Sequence, residues 1–186
     1  MSDGGVDAAA VLARRRRSIG IAASAGLVLL ALALAFQGGE EARSVDTSPH
    51  FVAATDLADL EGALGHELYW AGERQPDRVE LTEEGDGSVY LRYLPAAVEA
   101  GDPRSQFLTV GTYPVAGAVA ALRRAADKDG SALGRAPDGG VLLVNPSSDG
   151  SVYLAYPGSD LQIEVYDPVP GRALGLIRAG AIEPVG

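Results

Sequence analysis

Two kinds of hydrophobic pattern divide the chain. From Ile19 to Phe36 no charged residue occurs, and at about 1.5 Å per helical residue this run covers roughly 27 Å, close to the ~30 Å hydrocarbon core of a bilayer. Further on, apolar and polar positions alternate near residues 67–71, 78–82, 88–94, 106–113, 141–145, 151–156 and 160–166, the period that predicts strands. Three stretches switch to helical spacing. They are Leu57, Leu60 and Leu64 after a cap at Thr55 or Asp56; Val115, Val119, Leu122 and Ala126; and Leu174 with Ile177. Gly65, Gly130 and Gly180 stand where these helices should close.

The strand segments repeat. Asp86-Gly-Ser-Val-Tyr-Leu-Arg-Tyr93 recurs as Asp149-Gly-Ser-Val-Tyr-Leu-Ala-Tyr156. Upstream, Val79 and Leu81 align with Leu142 and Val144; downstream, Leu108, Val110 and Thr112 align with Leu161, Ile163 and Val165. An Asp-Gly turn between alternating flanks is also a common hairpin signal, which leaves two unrelated hairpins as the alternative. The expected fold class is α+β: a mainly antiparallel sheet with helices on one face, built from a duplicated βββα (or αβββ) unit and preceded by one transmembrane helix.

Arg14, Arg15, Arg16 and Arg17 abut the apolar run, whereas Gln37, Gly38, Gly39, Glu40 and Glu41 follow it. This asymmetry predicts a cytoplasmic basic tail over 1–17, a signal-anchor helix over 18–36, a flexible linker over 37–50 and an extracytoplasmic domain over 51–186. The expected location is the cell membrane, spanned once. A cleaved secretory signal shares the same order, and Ala33-Leu34-Ala35 meets the small-residue cleavage rule; the apolar run is longer than the ~7–15 residues of a signal, which favours the anchor. Either reading exports the domain. Arg16-Arg17-Ser18-Ile19 also resembles a twin-arginine signal, although membrane orientation alone accounts for four arginines there.

Charge and composition narrow the partners. From residue 37 onward 23 acidic residues face 11 basic ones, so the exported part repels nucleic acid and anionic lipid head groups. Of the 15 basic residues only Lys128 is lysine, a bias that points to GC-rich coding. No cysteine is present, which excludes disulfides, thiolate metal sites, cysteine nucleophiles and a lipidated cysteine.

The chemical motifs are sparse. His50 and His66 are the only histidines and there is no Gly-x-Ser-x-Gly elbow, which leaves a catalytic triad unsupported. His66, between Gly65 and Glu67, reads as a surface or capping residue. Dinucleotide and phosphate-loop fingerprints are missing, so no cofactor is expected. Asp127, Asp129, Ser131 and Asp138 stand at positions 1, 3, 5 and 12 of a calcium-type loop, but glycine occupies position 4 and Ala132 position 6, so the preferred reading is a helix end leading into a hairpin. Paired carboxylates for glycoside hydrolysis stay open, since acids are abundant and the sequence carries no distances.

Leu64-Gly-His-Glu-Leu-Tyr-Trp-Ala-Gly72, Val89-Tyr-Leu-Arg-Tyr-Leu-Pro95 and Phe107-Leu-Thr-Val-Gly-Thr-Tyr-Pro114 resemble a pattern in uncharacterised membrane-anchored or secreted actinobacterial proteins. The likeness covers about half of the outer domain. It implies export and carries no activity and no functional residue.

The expected function is therefore a membrane-tethered binding or interaction module for a protein, peptide or cell-envelope ligand; the alternative is a small cell-envelope hydrolase using carboxylates. Strand parity locates the expected surface. Val89, Leu91 and Tyr93, and likewise Val152, Leu154 and Tyr156, should meet the helices, which leaves Tyr90, Arg92, Tyr153 and Tyr166 together on the other face as an exposed ligand platform. Tyrosine and arginine supply contact area with a polar handle.

Overall fold

All seven predicted strands form, and the way they pair decides the architecture. The computed structural model describes residues 47–75, 77–129, 131–146 and 150–186. The predicted membrane segment 18–36 lies outside them; among the described residues no helix is long and apolar enough to cross a membrane. In chain order the elements are β1 (His50–Val52), α1 (Ala54–Leu64), β2 (Tyr69–Trp70), β3 (Arg78–Glu83), β4 (Val89–Leu94), β5 (Thr109–Pro114), α2 (Ala118–Asp129), β6 (Ala132–Arg135), β7 (Val141–Val144), β8 (Ser151–Ala155), β9 (Leu161–Tyr166), α3 (Arg172–Arg178) and β10 (Glu183–Pro184). The fold class is α+β.

Eight strands make one sheet in the order β1-β3-β4-β5-β9-β8-β7-β6, antiparallel at every neighbour. Both Asp-Gly hairpins belong to it, and the β5–β9 pair lies at its centre. The registers on either side of that centre correspond: Leu91 faces Val110 in β5 just as Leu154 faces Ile163 in β9. One expected alignment is shifted. Leu81 faces Leu91 and Leu142 faces Leu154, so Leu81 corresponds to Leu142 and not to Val144. The reason lies in the turns, because the last pairs before them are Glu83 with Val89 and Val144 with Val152, a longer connection in the second hairpin.

The helices do not share a face. On the face of Leu91 and Ile163, α1 buries Leu57 against Leu81, Val89 and Leu91, while α3 buries Ala173 and Ile177 against Val152, Leu154, Ile163 and Val165. Each large aliphatic side chain so buried contributes about 1.5–3 kcal/mol. On the opposite face α2 sets Ala118, Leu122 and Ala126 on Leu143 and Ala155. An apolar stripe at helical spacing has to be covered, and outward-facing Leu143 and Ala155 supply the cover there.

Local details follow the same logic. The N-cap of α1 is Ala53, not Thr55 or Asp56; Asp56 stands three positions on, and its carboxylate accepts the Ala53 N–H at 2.9 Å. Gly65 closes α1 at φ 72°, a left-handed conformation that suits glycine. Strands β2 and β10 pair with each other as a small second layer. Two buried side chains of the main sheet dock it: Tyr69 N–H donates to Thr112 Oγ1 at 3.1 Å and Ala71 N–H donates to Tyr93 Oη at 2.7 Å.

Candidate binding face

Period two sends Tyr90, Arg92, Thr109, Gly111, Tyr113, Ser151, Tyr153, Gln162, Glu164 and Tyr166 to the sheet face that also carries α2. Register then sets them in rows. Tyr153, Glu164, Gly111 and Tyr90 lie directly opposite one another across β8, β9, β5 and β4. The next row holds Ser151, Tyr166, Thr109, Arg92 and Glu80. On the other side Tyr113 faces Gln162. Tyr90, Tyr153, Glu164 and Tyr166 are half-buried, and Tyr113 is buried.

Glu164 is the hub of this arrangement. Its carboxylate accepts the Tyr113 hydroxyl and the Ser151 hydroxyl, each at 2.8 Å, and is also hydrogen-bonded to Tyr153. The Tyr113 ring can reach it because Gly111 has no side chain: a Cβ there would stand 2.6 Å from the Tyr113 hydroxyl oxygen. Tyr90 meets Tyr113 edge to face with ring centroids 5.5 Å apart, a favoured aromatic geometry. Burial first, and then the charge of Glu164, push the phenols of Tyr113 and Tyr153 above the ordinary tyrosine range. Burial raises Tyr90 as well, with Glu84, Glu164 and Asp86 adding to the shift and its hydrogen bond to Tyr113 opposing it. These hydroxyls are therefore neutral hydrogen-bonding groups at physiological pH and not phenolate nucleophiles.

Three of the four expected platform residues remain at least partly accessible on this face. Arg92 does not serve there as an exposed contact. Its side chain is 11% exposed and donates to Glu80 at 2.8 Å, to the Asp102 carbonyl at 2.7 Å and to the Arg104 carbonyl at 3.1 Å. The connection between β4 and β5 folds back over this part of the sheet, and Arg92 is the strut that holds it. Tyr113 and Glu164 were the residues to add. Tyr113 carries the same parity signal as Tyr90, whereas the role of Glu164 depends on which strands flank β9.

The calcium-type loop is not a loop. Asp127 and Asp129 belong to α2, β6 occupies its middle, and Asp138 lies in the following turn, where it accepts the Gly140 N–H at 3.2 Å and the Tyr156 hydroxyl at 2.5 Å. Among the described residues no group of three acidic or histidine side chains converges on a metal-sized site.

His66 sits elsewhere, at a cleft of about 540 Å³ lined by Glu67, Pro114, Pro157, Ser159, Asp160 and Leu161. Its ring nitrogens lie 2.9 Å from the Glu67 carbonyl and 3.2 Å from the Gly87 carbonyl, which ties the α1–β2 junction to the β3–β4 turn. A second cleft of about 160 Å³ lies among Arg74, Tyr93, Phe107 and Arg172. Neither opens onto the tyrosine face. Comparison of the chain with protein-family models, with curated proteins and with solved structures finds no match.

Proposed function

We propose that this chain is a membrane-tethered, extracytoplasmic binding module that engages a protein or peptide through the face of Tyr90, Tyr153, Glu164 and Tyr166. The observation carrying this reading is the unbroken cross-strand row of Tyr153, Glu164, Gly111 and Tyr90. Such a row offers rigid aromatic area with polar ends, the combination that binding surfaces favour. Tethering rests on the uncharged Ile19–Phe36 run and the arginines before it. The halves on either side of the β5–β9 pair are read as copies of one unit, on the strength of their corresponding registers. Binding is preferred to carboxylate-based hydrolysis because Glu164 is the single carboxylate of its row and Glu80 in the next row is ion-paired with Arg92, whereas glycoside hydrolysis uses a pair of carboxyl groups.

The test is site-specific photo-crosslinking of the full-length chain in cells, with the reactive residue placed at Tyr90 or Tyr166 and, as a control, at exposed Glu73. A discrete adduct from the first two positions alone is the expected result. Adducts equally strong at Glu73, or none at Tyr90 and Tyr166, would discard the face. A reporter fused after Gly186 should be active only outside the cytoplasm, and the mature protein should keep its N-terminus; a new N-terminus near Phe36 would replace the anchor with a cleaved signal.

A further inference from the structure

Glu164 has donors but no counter-ion. It accepts two hydroxyls at 2.8 Å, and among the described residues no arginine, lysine or histidine forms an ion pair with it. The arginine in the neighbouring row cannot serve, because Arg92 is bound to fully buried Glu80 and to two carbonyls of the β4–β5 connection. Neutral hydroxyls position a carboxylate without cancelling its charge. The rings beside it are tyrosines, whose faces are electron-rich and attract cations. The acids of the β3–β4 turn, Glu84 and Asp86, act electrostatically on Tyr90, and residues 37 to 186 carry 23 acidic against 11 basic side chains. The local and the overall field have the same sign.

We infer that the group received by this face is the ammonium or guanidinium of a lysine or arginine in an extended peptide segment, paired with Glu164 between Tyr90 and Tyr153. This rests on the binding reading above and adds the chemistry of the partner. A peptide is favoured over a free amine by shape. Half-buried Tyr90, Tyr153, Glu164 and Tyr166 stay partly accessible between α2 and the β4–β5 connection and line neither cleft, whereas a small ligand needs a pocket that buries most of its surface. A cationic side chain carried on a longer chain draws the rest of its contact area from the neighbouring rows.

The experiment uses the full-length chain in detergent on an array of randomised dodecapeptides, with a matched array in which every lysine and arginine is replaced by glutamine. Captured peptides should carry lysine or arginine, and their glutamine versions should lose on the order of tenfold in signal. E164Q should lose a similar factor, while E73Q, which removes one exposed charge away from the face, should retain capture. S151K places an ammonium of the chain itself beside Glu164 and should abolish capture while the thermal melt holds. Glutamine versions that bind equally well, or E164Q binding like E73Q, would overturn the cationic partner; the face itself survives that result if Y90A and Y153A still abolish capture. Capture indifferent to Y90A and Y153A, or no capture at all, would overturn both.

Discussion

The Arg92 guanidinium donates at 2.8 Å to Glu80, a carboxylate with no solvent exposure, and the two residues lie directly opposite each other on β4 and β3. Glu80 also accepts the Gly101 N–H at 2.5 Å, so the pair ties the β4–β5 connection to the sheet. Removing the arginine alone strands a buried charge. Arg92→Met should cost about 3–5 kcal/mol in chemical denaturation, and Arg92→Met with Glu80→Leu should recover much of it. A double variant no more stable than the single one would show that the charge is not what the arginine compensates.

Gly111 leaves room for Tyr113, and its replacement tests that dependence. Gly111→Ala should displace the ring and break the Tyr113–Glu164 bond, at a cost of about 1–3 kcal/mol. Adding Tyr113→Ala should make the two changes non-additive, because the clash vanishes with the ring. Thermal melts of the two singles and the double close the cycle; strict additivity would count against the contact.

Tyr93 supplies the buried acceptor for Ala71 N–H at 2.7 Å. Tyr93→Phe leaves that donor unsatisfied, a loss of about 1–3 kcal/mol. Hydrogen exchange should report it locally, with the Ala71 and Tyr69 amides exchanging faster while those of β5 and β9 hold. Uniform acceleration across the sheet would mean that β2 is not docked through this bond.

Alkaline pH should unfold the domain in a defined window. Burial pushes the Tyr93 phenol up from 10.0 to about 12. Below pH 10 it is neutral in both folded and unfolded chains. From 10 to about 12 only the unfolded chain ionises, so stability falls as pH rises, by roughly 2–3 kcal/mol for this group. Tyr113 and Tyr153 are displaced in the same direction and steepen the fall. Denaturation midpoints measured from pH 9 to 12 should drop across this range, less steeply in Tyr93→Phe. A flat profile would refute the assignment.

The strands that the pattern missed share one property. In β6, Ala132, Leu133, Gly134 and Arg135 are all exposed; β1 has three residues, β10 has two, and all three pair on one side only. With no buried face in β6 and β10, and only three residues in β1, there is no alternation to read, and these edge strands depend on the hydrogen bonds a neighbour offers. His50, placed by the sequence reading at the end of the spacer, is recruited into β1 in this way, opposite Leu81.

Sequence by itself determined the seven strands that carry a buried alternation and which of their side chains share a face, because the pleat alternates within each strand regardless of its surroundings. It thereby brought Tyr90, Tyr153 and Tyr166 to one side. Tertiary structure alone decided the hairpin registers, the passage of α2 to the opposite face from α1 and α3, the burial of Arg92 and the position of Glu164 between Tyr153 and Gly111. Each of these depends on what packs on or beside a strand, and such contacts join residues far apart in the chain, where no local period records them.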